Sequence, residues 1–420
     1  MNVLLIGGGG REHALAFKIS QSSLLGKFYA IPGNPGIAEF AECVENISPE
    51  KNSDVVNFAR EKNIDLVVVG PEAPLVNGLV DELEKAGIKS FGCNAKAAQL
   101  EGSKIFAKNL MKKYKIPTAD FEIFTDPDAA KKYIQSKGAP IVIKADGLAA
   151  GKGVIVAQTL DEALQAVDEM KNFGAAGSKI VFEEFMDGEE ASVLAFTDGK
   201  IILPMIPAQD HKRVNDGDEG LNTGGMGSYA PAPVVTREVA KRVEEKILQP
   251  VIAALNAEGI TYRGCLYAGL MIKDGEPKVV EFNARFGDPE TQVVLPLLES
   301  DLLEIMLACA EGNLADKKIS WSSDCAVCVV LASGGYPKAY KKNLPIDGIT
   351  KAKTVGALIF HAGTKSADGK ILTSGGRVLG VTVTAKNIRD ALEKVYKCVD
   401  VIKFDDMHFR RDIAAKALRK

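Results

Sequence analysis

The feature that most constrains the fold is the regular alternation of apolar runs and helical segments over residues 1–100. The run VLLIGGGG precedes a segment with helical periodicity from about Glu12, and DLVVVGPEAPL supplies a second buried run that ends in a loop. Strands joined by helices pair in parallel, since each helix returns the chain to the same end of the sheet. The pattern therefore predicts an α/β domain with a parallel sheet at the N-terminus.

The glycines after the first apolar run do not match the dinucleotide-binding fingerprint. GxGxxG counted from Gly7 and Gly9 needs a third glycine where the sequence has Glu12, and the later segment IPGNPG lacks the acidic residue that would bind a ribose. A nicotinamide-dependent dehydrogenase is therefore disfavoured. The free N–H groups at the start of the helix instead predict a pocket for a phosphate or another anion. The alternative is a glycine turn that serves packing alone.

The segment after residue 100 predicts a small lid. It contains two amphipathic helices, SKIFAKNLMKKY at 103–114 and DPDAAKKYIQSKG at 126–138, followed by the hairpin PIVIKADGLAAGKGVIVA. A chain of 420 residues exceeds what one hydrophobic core usually serves, so about two to four domains are expected.

The later part of the chain predicts a mixed core and a separate small domain. A long helix near 236–257 precedes two strands, the second of which ends in KVVEFNARFGDPE. From about residue 325 to residue 420 the sequence has short strands, glycine turns and an amphipathic helix that begins near Ile388. This pattern is typical of a small α+β domain.

Composition excludes some classes of partner. The 52 Lys plus Arg against 55 Asp plus Glu leave no basic excess, so we expect no nucleic acid partner. No apolar stretch reaches the roughly 20 residues that cross a bilayer, and the N-terminal apolar run is too short for a signal core. Seven scattered cysteines without a disulfide framework favour a reducing compartment, the cytoplasm.

One CxxC pair could indicate a redox or zinc site. Cys325 and Cys328 lie in an apolar run that continues to Leu331, and no second pair of metal ligands follows. A buried strand is therefore the favoured interpretation.

A glycine-rich loop with two lysines predicts a cover for phosphate groups. Strand alternation places Ile141 and Ile143 in the core and turns Lys144 to the other face, out of the core. The loop 146–153 that follows contains three glycines and Lys152, so its backbone can approach a polyphosphate closely. The spacing does not match GxxxxGK[ST], so the loop is not a Walker A motif.

The segment KVVEFNARF predicts a metal site. Alternation turns Val280 and Phe282 inward and places Glu281 and Asn283 side by side on the opposite face. A carboxylate and an amide oxygen, completed by phosphate oxygens and water, commonly hold magnesium at a nucleotide. Arg285, two residues further on that side, is placed to contact a carboxylate or phosphate.

Two further segments have the composition of binding loops. In VFEEFMDGEE, an adenine could lie against Phe185, and Glu190 could accept the ribose hydroxyls. The segment PAQDHKRVNDGDEGLNTGGMG combines a charged cluster at 210–213 with a glycine turn, which indicates an active-site loop. Its His211 is either a general base or, more often for a loop histidine, a positional or surface residue. The other histidines lack metal-ligand spacing and receive no role: His13, His361 and His408.

Seven segments in this order resemble the glycinamide ribonucleotide synthetase family of ATP-grasp ligases: GGGGREHA, GNPG, VGPEAPL, KADGLAAGKGV, PAQDHKR, NTGGMGSY and RFGDPETQ. The resemblance covers essentially the whole chain. It implies an N-terminal Rossmann-like substrate domain (1–101), an ATP-grasp domain (102–325) with a lid subdomain at about 120–187, and a C-terminal α+β, barrel-like domain (326–420).

The resemblance also implies a set of site residues. ATP would be bound by Lys104, Lys144, Gly147, Leu148, Gly151, Lys152, Gly153, Glu183, Glu184, Phe185 and Glu190. Mg²⁺ or Mn²⁺ would be bound by Glu281 and Asn283; the preceding strand CLYAGLMI lacks the acidic ligand of many ATP-grasp enzymes, which leaves the number of metals open. Substrates would be bound by Gly9, Gly10, Arg11, Glu12, Pro71, Glu72, Gly224, Gly225, Met226 and Asp288, and the catalytic residues would be Arg285, Lys144, Asp210 and Lys212.

The activity that the family implies joins glycine to 5-phosphoribosylamine with ATP, through an acyl phosphate, in de novo purine synthesis. The partners would then be small molecules, and the chain a monomer or weak dimer. The alternatives are another ATP-grasp carboxylate–amine ligase, a biotin-type carboxylase, or an ATP-binding regulatory protein without catalysis. The last alternative would require a broken metal pair or a missing phosphate lysine, and the sequence has neither.

Overall fold

A computed structural model describes residues 1–147 and 153–419. The N-terminal part forms a parallel five-stranded sheet in the order β3-β2-β1-β4-β5, which confirms the α/β prediction. Its elements are β1 (Val3–Gly7), α1 (Gly10–Ile19), β2 (Phe28–Pro32), β3 (Glu42–Cys43), α2 (Asn52–Glu61), β4 (Leu66–Val69), α3 (Glu72–Val76), α4 (Leu79–Lys85), β5 (Lys89–Phe91) and α5 (Gln99–Gly102).

The first helix begins earlier than its periodicity indicates. α1 starts at Gly10 rather than near Glu12, because the Glu12 carboxylate reaches back and accepts a hydrogen bond from the Gly9 N–H at 2.7 Å. A glutamate at this third helical position satisfies a backbone donor that would otherwise lack a partner. The polar residues of the first turn therefore belong to the helix and lie at the mouth of the glycine turn.

The lid is an antiparallel four-stranded sheet in the order β6-β9-β7-β8, with two helices packed on one side. The segment from 104 contains α6 (Lys104–Tyr114), β6 (Phe121–Phe124), α7 (Pro127–Lys137), β7 (Ile141–Ala145), β8 (Val154–Ala157), α8 (Leu160–Met170) and β9 (Ile180–Glu184). α6 begins after Ser103, whose hydroxyl accepts from the Phe106 N–H, and α7 begins after Asp126. The helices α6 and α7 and the hairpin strands β7 and β8 lie where the sequence predicts them.

The central part of the chain is built around an antiparallel sheet in the order β11-β10-β16-β17, and further strands and helices surround this sheet. It contains β10 (Glu189–Thr197), β11 (Ile202–Pro204), β12 (Gln209–Asp210), β13 (Arg213–Asn215), β14 (Glu219–Asn222), β15 (Gly227–Ala230), α9 (Arg237–Val243), α10 (Gln249–Ala257), β16 (Gly264–Lys273), β17 (Glu276–Asn283), α11 (Thr291–Val294) and α12 (Leu302–Glu311). The single long helix expected near 236–257 is interrupted by a π turn at Glu244–Leu248. Pro250 follows this turn and has no N–H to donate, which breaks the regular hydrogen-bond ladder there.

Strands from both sides of residue 325 share a fourth sheet, in the order β12-β15-β18-β22-β19, with β23 paired to β18. The remaining elements are β18 (Cys325–Ser333), α13 (Ile349–Thr354), β19 (Leu358–His361), β20 (Thr364–Ala367), β21 (Lys370–Thr373), β22 (Arg377–Ala385), α14 (Ile388–Val399) and β23 (Met407–His408). The CxxC pair lies in the buried strand β18 with free thiols, as predicted. Among the described residues no helix has the length and apolar character needed to cross a bilayer.

A β-bulge changes the alternation on β17. Glu281 pairs with Gly269 and Val279 with Leu270, so Val280 lies between two successive pairs. The core side chains are therefore Val279 and Phe282, and the prediction that Val280 turns inward is wrong. The extra residue keeps Glu281 on the side of the strand that faces the neighbouring lid.

Candidate active site

One cleft, with a volume of about 480 Å³, lies where the N-terminal, lid, central and C-terminal parts meet. Its lining includes most of the described residues that the sequence singles out: Arg11, Glu72, Lys104, Lys144, Gly147, Gly153, Glu183, Glu184, Phe185, Glu190, Asp210, Lys212, Gly224, Glu281, Asn283, Arg285 and Asp288. Gly9, Gly10, Glu12, Pro71, Gly225 and Met226 lie outside that lining, and Leu148, Gly151 and Lys152 lie outside the described residues.

A buried carboxylate shared by two lysines forms the floor of the cleft. Glu183 Oε1 lies 2.8 Å from Lys144 Nζ, and Glu183 Oε2 lies 2.9 Å from Lys108 Nζ. Lys108 also donates to Thr118 Oγ1 at 2.8 Å, and burial lowers its pKa to about 8. The Lys144 side chain lies on the face of β7 opposite the core, as predicted. Only 4% of this residue is exposed, because it faces the cleft rather than open solvent. The Glu183 side chain is thus held by two cations of the protein itself.

A third lysine ties helix α6 to the glycine-rich loop that begins at Asp146. Lys104 Nζ donates to the carbonyl oxygen of Gly147 at 3.2 Å, at the point where the glycine-rich loop begins. Burial lowers the pKa of Lys104, whereas the nearby carboxylate of Glu281 raises it. Ser103 Oγ and the Ile105 N–H both bond Asp146 Oδ1, at 3.0 and 3.2 Å. The start of α6 therefore fixes the near end of the loop.

Glu281 and Asn283 have the donor chemistry of a magnesium or manganese site. Both side chains line the cleft, and both offer hard oxygen atoms. Burial raises the pKa of Glu281, but the ammonium groups of Lys212, Lys144 and Lys104 outweigh that effect and lower it, so the carboxylate is ionised at neutral pH. No group of three or more His, Cys, Asp or Glu with metal-binding geometry occurs within residues 1–147 and 153–419. The pair therefore fits a cation that takes its remaining ligands from phosphate and water.

Arg285 is held by two carboxylates of the N-terminal part. Its Nη2 lies 2.7 Å from Glu101 Oε1, and its Nε donates to Glu72 Oε2 at 3.2 Å. Glu101 also accepts from the Ala284 N–H at 2.7 Å, and its pKa is raised by burial despite Arg285. Glu101 precedes α6 without any motif around it, so sequence reasoning missed it. The result is an arginine whose guanidinium is already oriented towards the cleft.

The loop after β12 places an acid and a base side by side. Lys212 Nζ lies 2.8 Å from Glu190 Oε2, and Glu190 and Asp210 raise the pKa of Lys212 against the effect of burial. Burial raises the pKa of Asp210 to about 7, with Lys212 opposing and the carboxylates of Glu290, Glu190 and Glu281 adding to the rise. Asp210 therefore holds a proton more tightly than an ordinary aspartate does.

An apolar wall between the lid and the central sheet escaped the sequence prediction. It is formed by apolar residues of several strands, of α5 and α6, and of the loop after β9, namely Leu100, Met111, Val142, Val154, Val156, Met186, Met271 and Phe282. Phe185, the expected adenine contact, is 37% exposed at its rim. A flat heterocycle can lie between such surfaces while polar groups fix its orientation. Alternation could have flagged Val142, which shares a strand face with Lys144.

The N-terminus of α1 is occupied by a carboxylate of the protein itself. Asp288 accepts a backbone hydrogen bond from Arg11, and Gln292 Nε2 donates to its Oδ1 at 2.8 Å. Burial raises the pKa of Asp288, but Arg377 and Arg11 outweigh burial and lower it. The Arg11 side chain bonds Glu12 Oε1 at 2.6 Å. The anion predicted at this helix end is thus supplied, in this structure, by Asp288.

The glycine turn TGGMG is held from the C-terminal part. The Gly224 N–H donates to the hydroxyl oxygen of Tyr336 at 3.0 Å, and Arg377 donates to the Gly224 carbonyl at 2.6 Å. At Gly225 the backbone has φ +112°, and a Cβ there would lie 2.3 Å from Pro289 Cδ. Met226 is fully buried, and its backbone bonds His211 and Val330. Sequence reasoning found the turn but neither Tyr336 nor Arg377.

His211 belongs to the wall behind the loop rather than to the cleft lining. Its ring packs 5.9 Å from Tyr229, and neither ring nitrogen has a hydrogen-bond partner among the described residues. Burial, with Arg410 and Lys416, lowers its pKa to about 4. These observations fit the positional role weighed for this histidine better than that of a general base.

Three family models match the sequence in succession. They describe the phosphoribosylglycinamide synthetase N domain (residues 1–101), ATP-grasp (A) domain (residues 102–291) and C domain (residues 326–416). The phosphoribosylamine–glycine ligase of Rhizobium meliloti (strain 1021) is 52% identical over 422 residues, covering 100% of this chain and 99% of that protein.

Solved structures give the same result. The crystal structure of phosphoribosylamine–glycine ligase from Thermotoga maritima matches with a TM-score of 0.86 and 33% identity, covering 99% of this chain and 100% of that chain. The biotin carboxylase domain of the Hydrogenobacter thermophilus 2-oxoglutarate carboxylase shares the fold, with a TM-score of 0.72 and 17% identity over 97% of this chain and 91% of that chain. The resemblance noted from the seven segments is confirmed, and the chain belongs to the phosphoribosylglycinamide synthetase family.

Proposed function

We propose that the chain uses ATP to join glycine to 5-phosphoribosylamine, giving glycinamide ribonucleotide, ADP and phosphate in de novo purine synthesis. The observation that carries this proposal is the convergence of Lys104, Lys144, Glu281, Asn283 and Arg285 in one cleft beside an apolar wall. The match to the family over the whole chain supports the same substrates. A regulatory protein without catalysis is disfavoured, because the oxygen donors Glu281 and Asn283 and the lysines Lys104 and Lys144 are all present in the cleft.

In this proposal the adenine of ATP lies against the apolar wall. Val142, Val156 and Met186 would contact the base, and the backbone from Glu183 to Phe185 would bond its edge. The ribose would lie near Glu190. The floor carboxylate of Glu183 serves to hold Lys144 and Lys108 rather than to bind nucleoside.

The triphosphate would extend from the wall towards Glu281. Lys104 and Lys144 would contact its oxygens, and Gly147 and Gly153, which flank the phosphate loop, allow the backbone to approach them. Bringing a second unit negative charge to about 4 Å costs about 4 kcal/mol at an effective dielectric near 20. These ammonium groups, with Arg285, offset that repulsion as the glycine carboxylate approaches.

Glu281 and Asn283 would hold Mg²⁺ or Mn²⁺ through their side-chain oxygens. When bound there, such a cation neutralises charge on the phosphate oxygens. The chain contributes the fixed position of both donors, since the bulge on β17 holds Glu281 towards the lid.

The reaction proceeds by two exchanges of bonds. A glycine carboxylate oxygen bonds to the γ-phosphorus while the bond from that phosphorus to the oxygen of ADP breaks, leaving glycyl phosphate. The amine nitrogen of phosphoribosylamine then bonds to the acyl carbon, phosphate departs, and the nitrogen loses a proton. Asp210, whose pKa is raised by burial, would accept that proton, and Lys212 and Arg285 would position the carboxyl group. Fixing the two reactants together can contribute about 7–11 kcal/mol.

The direct test is ADP release with ATP, Mg²⁺ and glycine, with and without freshly generated phosphoribosylamine. Turnover that requires both glycine and phosphoribosylamine supports the proposal. Turnover with glycine and a different amine, or none with any amine while ATP still binds, rejects it. Glycine labelled with ¹⁸O in its carboxylate tests the intermediate, because glycyl phosphate transfers one labelled oxygen to phosphate. Phosphate that never carries the label excludes that intermediate.

A further inference from the structure

The charged loop leaves the cleft at Lys212 and returns to it at Asn222. Between these two points the chain forms the hairpin of β13 and β14, whose strands pair from Arg213↔Asn222 to Asn215↔Glu219. The hairpin has a tip at residues 216–218 with φ +70° at Gly217 and +58° at Asp218. Whatever fixes this hairpin therefore fixes both segments that border the cleft.

A single buried arginine near the C-terminus is hydrogen-bonded to the hairpin. Arg410 is fully buried, and its Nη1 donates to the carbonyl oxygen of Arg213 at 3.0 Å and to Asp218 Oδ1 at 2.9 Å. Its Nε and Nη2 both bond the Asp412 carboxylate, each at 2.7 Å. A planar guanidinium can satisfy these acceptors at fixed angles, which a lysine ammonium cannot do.

The residues around Arg410 make further hydrogen bonds and ion pairs to the hairpin. Asp412 Oδ2 accepts from the Gly217 N–H at 2.8 Å, and Lys416 Nζ lies 2.5 Å from Asp218 Oδ2. The backbone N–H of Arg411 donates to Asp216 Oδ1 at 2.8 Å, and His408 Nε2 bonds the Val214 carbonyl at 2.7 Å. Strand β13 and the tip of the hairpin are thus bonded to residues 408–416, and β14 is held through its pairing with β13.

The contacts of Arg410 are connected to the cleft through the backbone of the hairpin. Arg410 holds the carbonyl of Arg213, the residue directly after Lys212. The Lys212 carbonyl in turn accepts from both the N–H and the hydroxyl of Thr223, each at 2.8 Å. Lys212 then reaches Glu190 at 2.8 Å, while Thr223 and Gly224 form part of the cleft lining. A shift of the hairpin is therefore transmitted to Lys212 and to the glycine turn together.

We propose that Arg410 is a positioning residue for the ligase reaction, acting through the hairpin 213–222 to align Lys212 and the turn at Thr223 and Gly224. Arg410 does not line the cleft, so it acts without touching substrate. The apolar wall, Lys104 and Lys144 lie outside the hairpin, so the adenine and phosphate contacts proposed for the nucleotide do not depend on this alignment. The inference rests on the proposed function above.

The test compares Arg410→Met with Arg410→Lys and with the neighbour Arg411→Ala. The side chain of Arg411 is 65% exposed and points to Asp400 at 4.0 Å, which makes it a matched control. We expect Arg410→Met to lower kcat about tenfold or more, because small misalignments of reacting groups have large effects on rate. Calorimetric titration with ADP should still give one site per chain and a Kd within about twofold of the parent. Arg410→Lys should restore part of kcat, and Arg411→Ala should match the parent.

Amide hydrogen exchange supplies a readout that a general loss of stability would not give. In Arg410→Met, exchange should speed up in residues 213–224 and stay unchanged in β16 and β17. A variant that binds ADP at full stoichiometry with kcat within about twofold of the parent overturns the inference. Exchange that rises equally throughout the chain, with ADP sites lost in proportion to kcat, also overturns it.

If Arg410→Met does not fold, Asp218→Asn decides the matter. Asp218 has a side chain that is 35% exposed, and its loss leaves Arg410 paired with Asp412. The same pattern is expected with a smaller fall in kcat, and an unchanged kcat rejects the inference. A parent protein that binds ADP but shows no ligase turnover would instead refute the proposed function, so the two failures are distinguishable.

Discussion

The guanidinium of Arg377 lies 3.3 Å from the carboxylate of Asp288, measured from Nη2 to Oδ2, and thereby joins strand β22 to the α1 terminus. Its Nη1 also donates to the carbonyl oxygens of Gly224 and Asp288, at 2.6 and 2.8 Å. One side chain from the C-terminal part thus fixes two segments that line the cleft. Asp288 in turn occupies the N-terminus of α1, where its negative charge is favoured.

Arg377→Lys should lower kcat/KM about tenfold to a hundredfold, because an ammonium group cannot bond all these acceptors at once. Steady-state ADP release with both co-substrates measures the change. Lys386→Met is the control, since that lysine is in the same part of the chain and its side chain is 81% exposed. Equal kcat/KM in Arg377→Lys and the parent would contradict the positioning role of this contact.

Glu281→Gln should remove nearly all ligase activity, by at least about a hundredfold, because a neutral amide cannot compensate the charge of a cation or of the nearby lysines. The matched control is Glu276→Gln on the same strand, whose side chain is 57% exposed and distant from the cleft. Thermal unfolding of both variants establishes that they are folded. Near-normal turnover in folded Glu281→Gln would reject the metal assignment.

Lys108→Met should weaken ATP binding and lower the free energy of unfolding by about 1–3 kcal/mol. Glu183 would keep only Lys144 as a partner. Its carboxylate would then shift towards Lys144 and draw that lysine away from the phosphates. The measurements are Kd for ATP by calorimetry and the denaturant midpoint. Lys112→Met, an exposed position one turn further along α6, serves as the control. Unchanged ATP affinity in Lys108→Met would show that Lys144 needs no such support.

His211 should make the protein less stable in mild acid. Its folded-state pKa, about 4, lies below the ordinary value of 6.5, so the unfolded chain binds the proton more tightly. Its contribution to stability is therefore complete above pH 6.5 and is lost as the pH falls from 6.5 to 4, up to about 3 kcal/mol.

His211→Phe replaces the two unpartnered ring nitrogens with apolar ring carbons and removes this titration. The variant should lose less unfolding free energy than the parent between pH 7 and pH 4.5. The residual loss would come from other buried groups, among them His361, whose pKa burial also lowers to about 4. Parallel pH profiles for parent and variant would contradict the assignment.

Local pattern was sufficient to predict most of the elements and the side of the strand on which several candidate site residues lie. Alternation placed Lys144 off the core face of β7, and the polar pair Glu281 and Asn283 was identified from a strand that ends in RFGDPE. These predictions succeeded because strand geometry fixes the side of each residue over short distances. The bulge at Val280 was not predicted, since it depends on the pairing with β16.

The sequence by itself determined the parallel N-terminal sheet, the lid, the family and the residue types available for phosphate and metal binding. Only the tertiary structure decided that Glu101 orients Arg285, that Lys108 shares Glu183, and that Arg377 and Arg410 hold the cleft loops from the C-terminal part. The reason is physical: these contacts join residues far apart in the chain, and a buried charge is stable only where folding brings its partner within hydrogen-bonding distance.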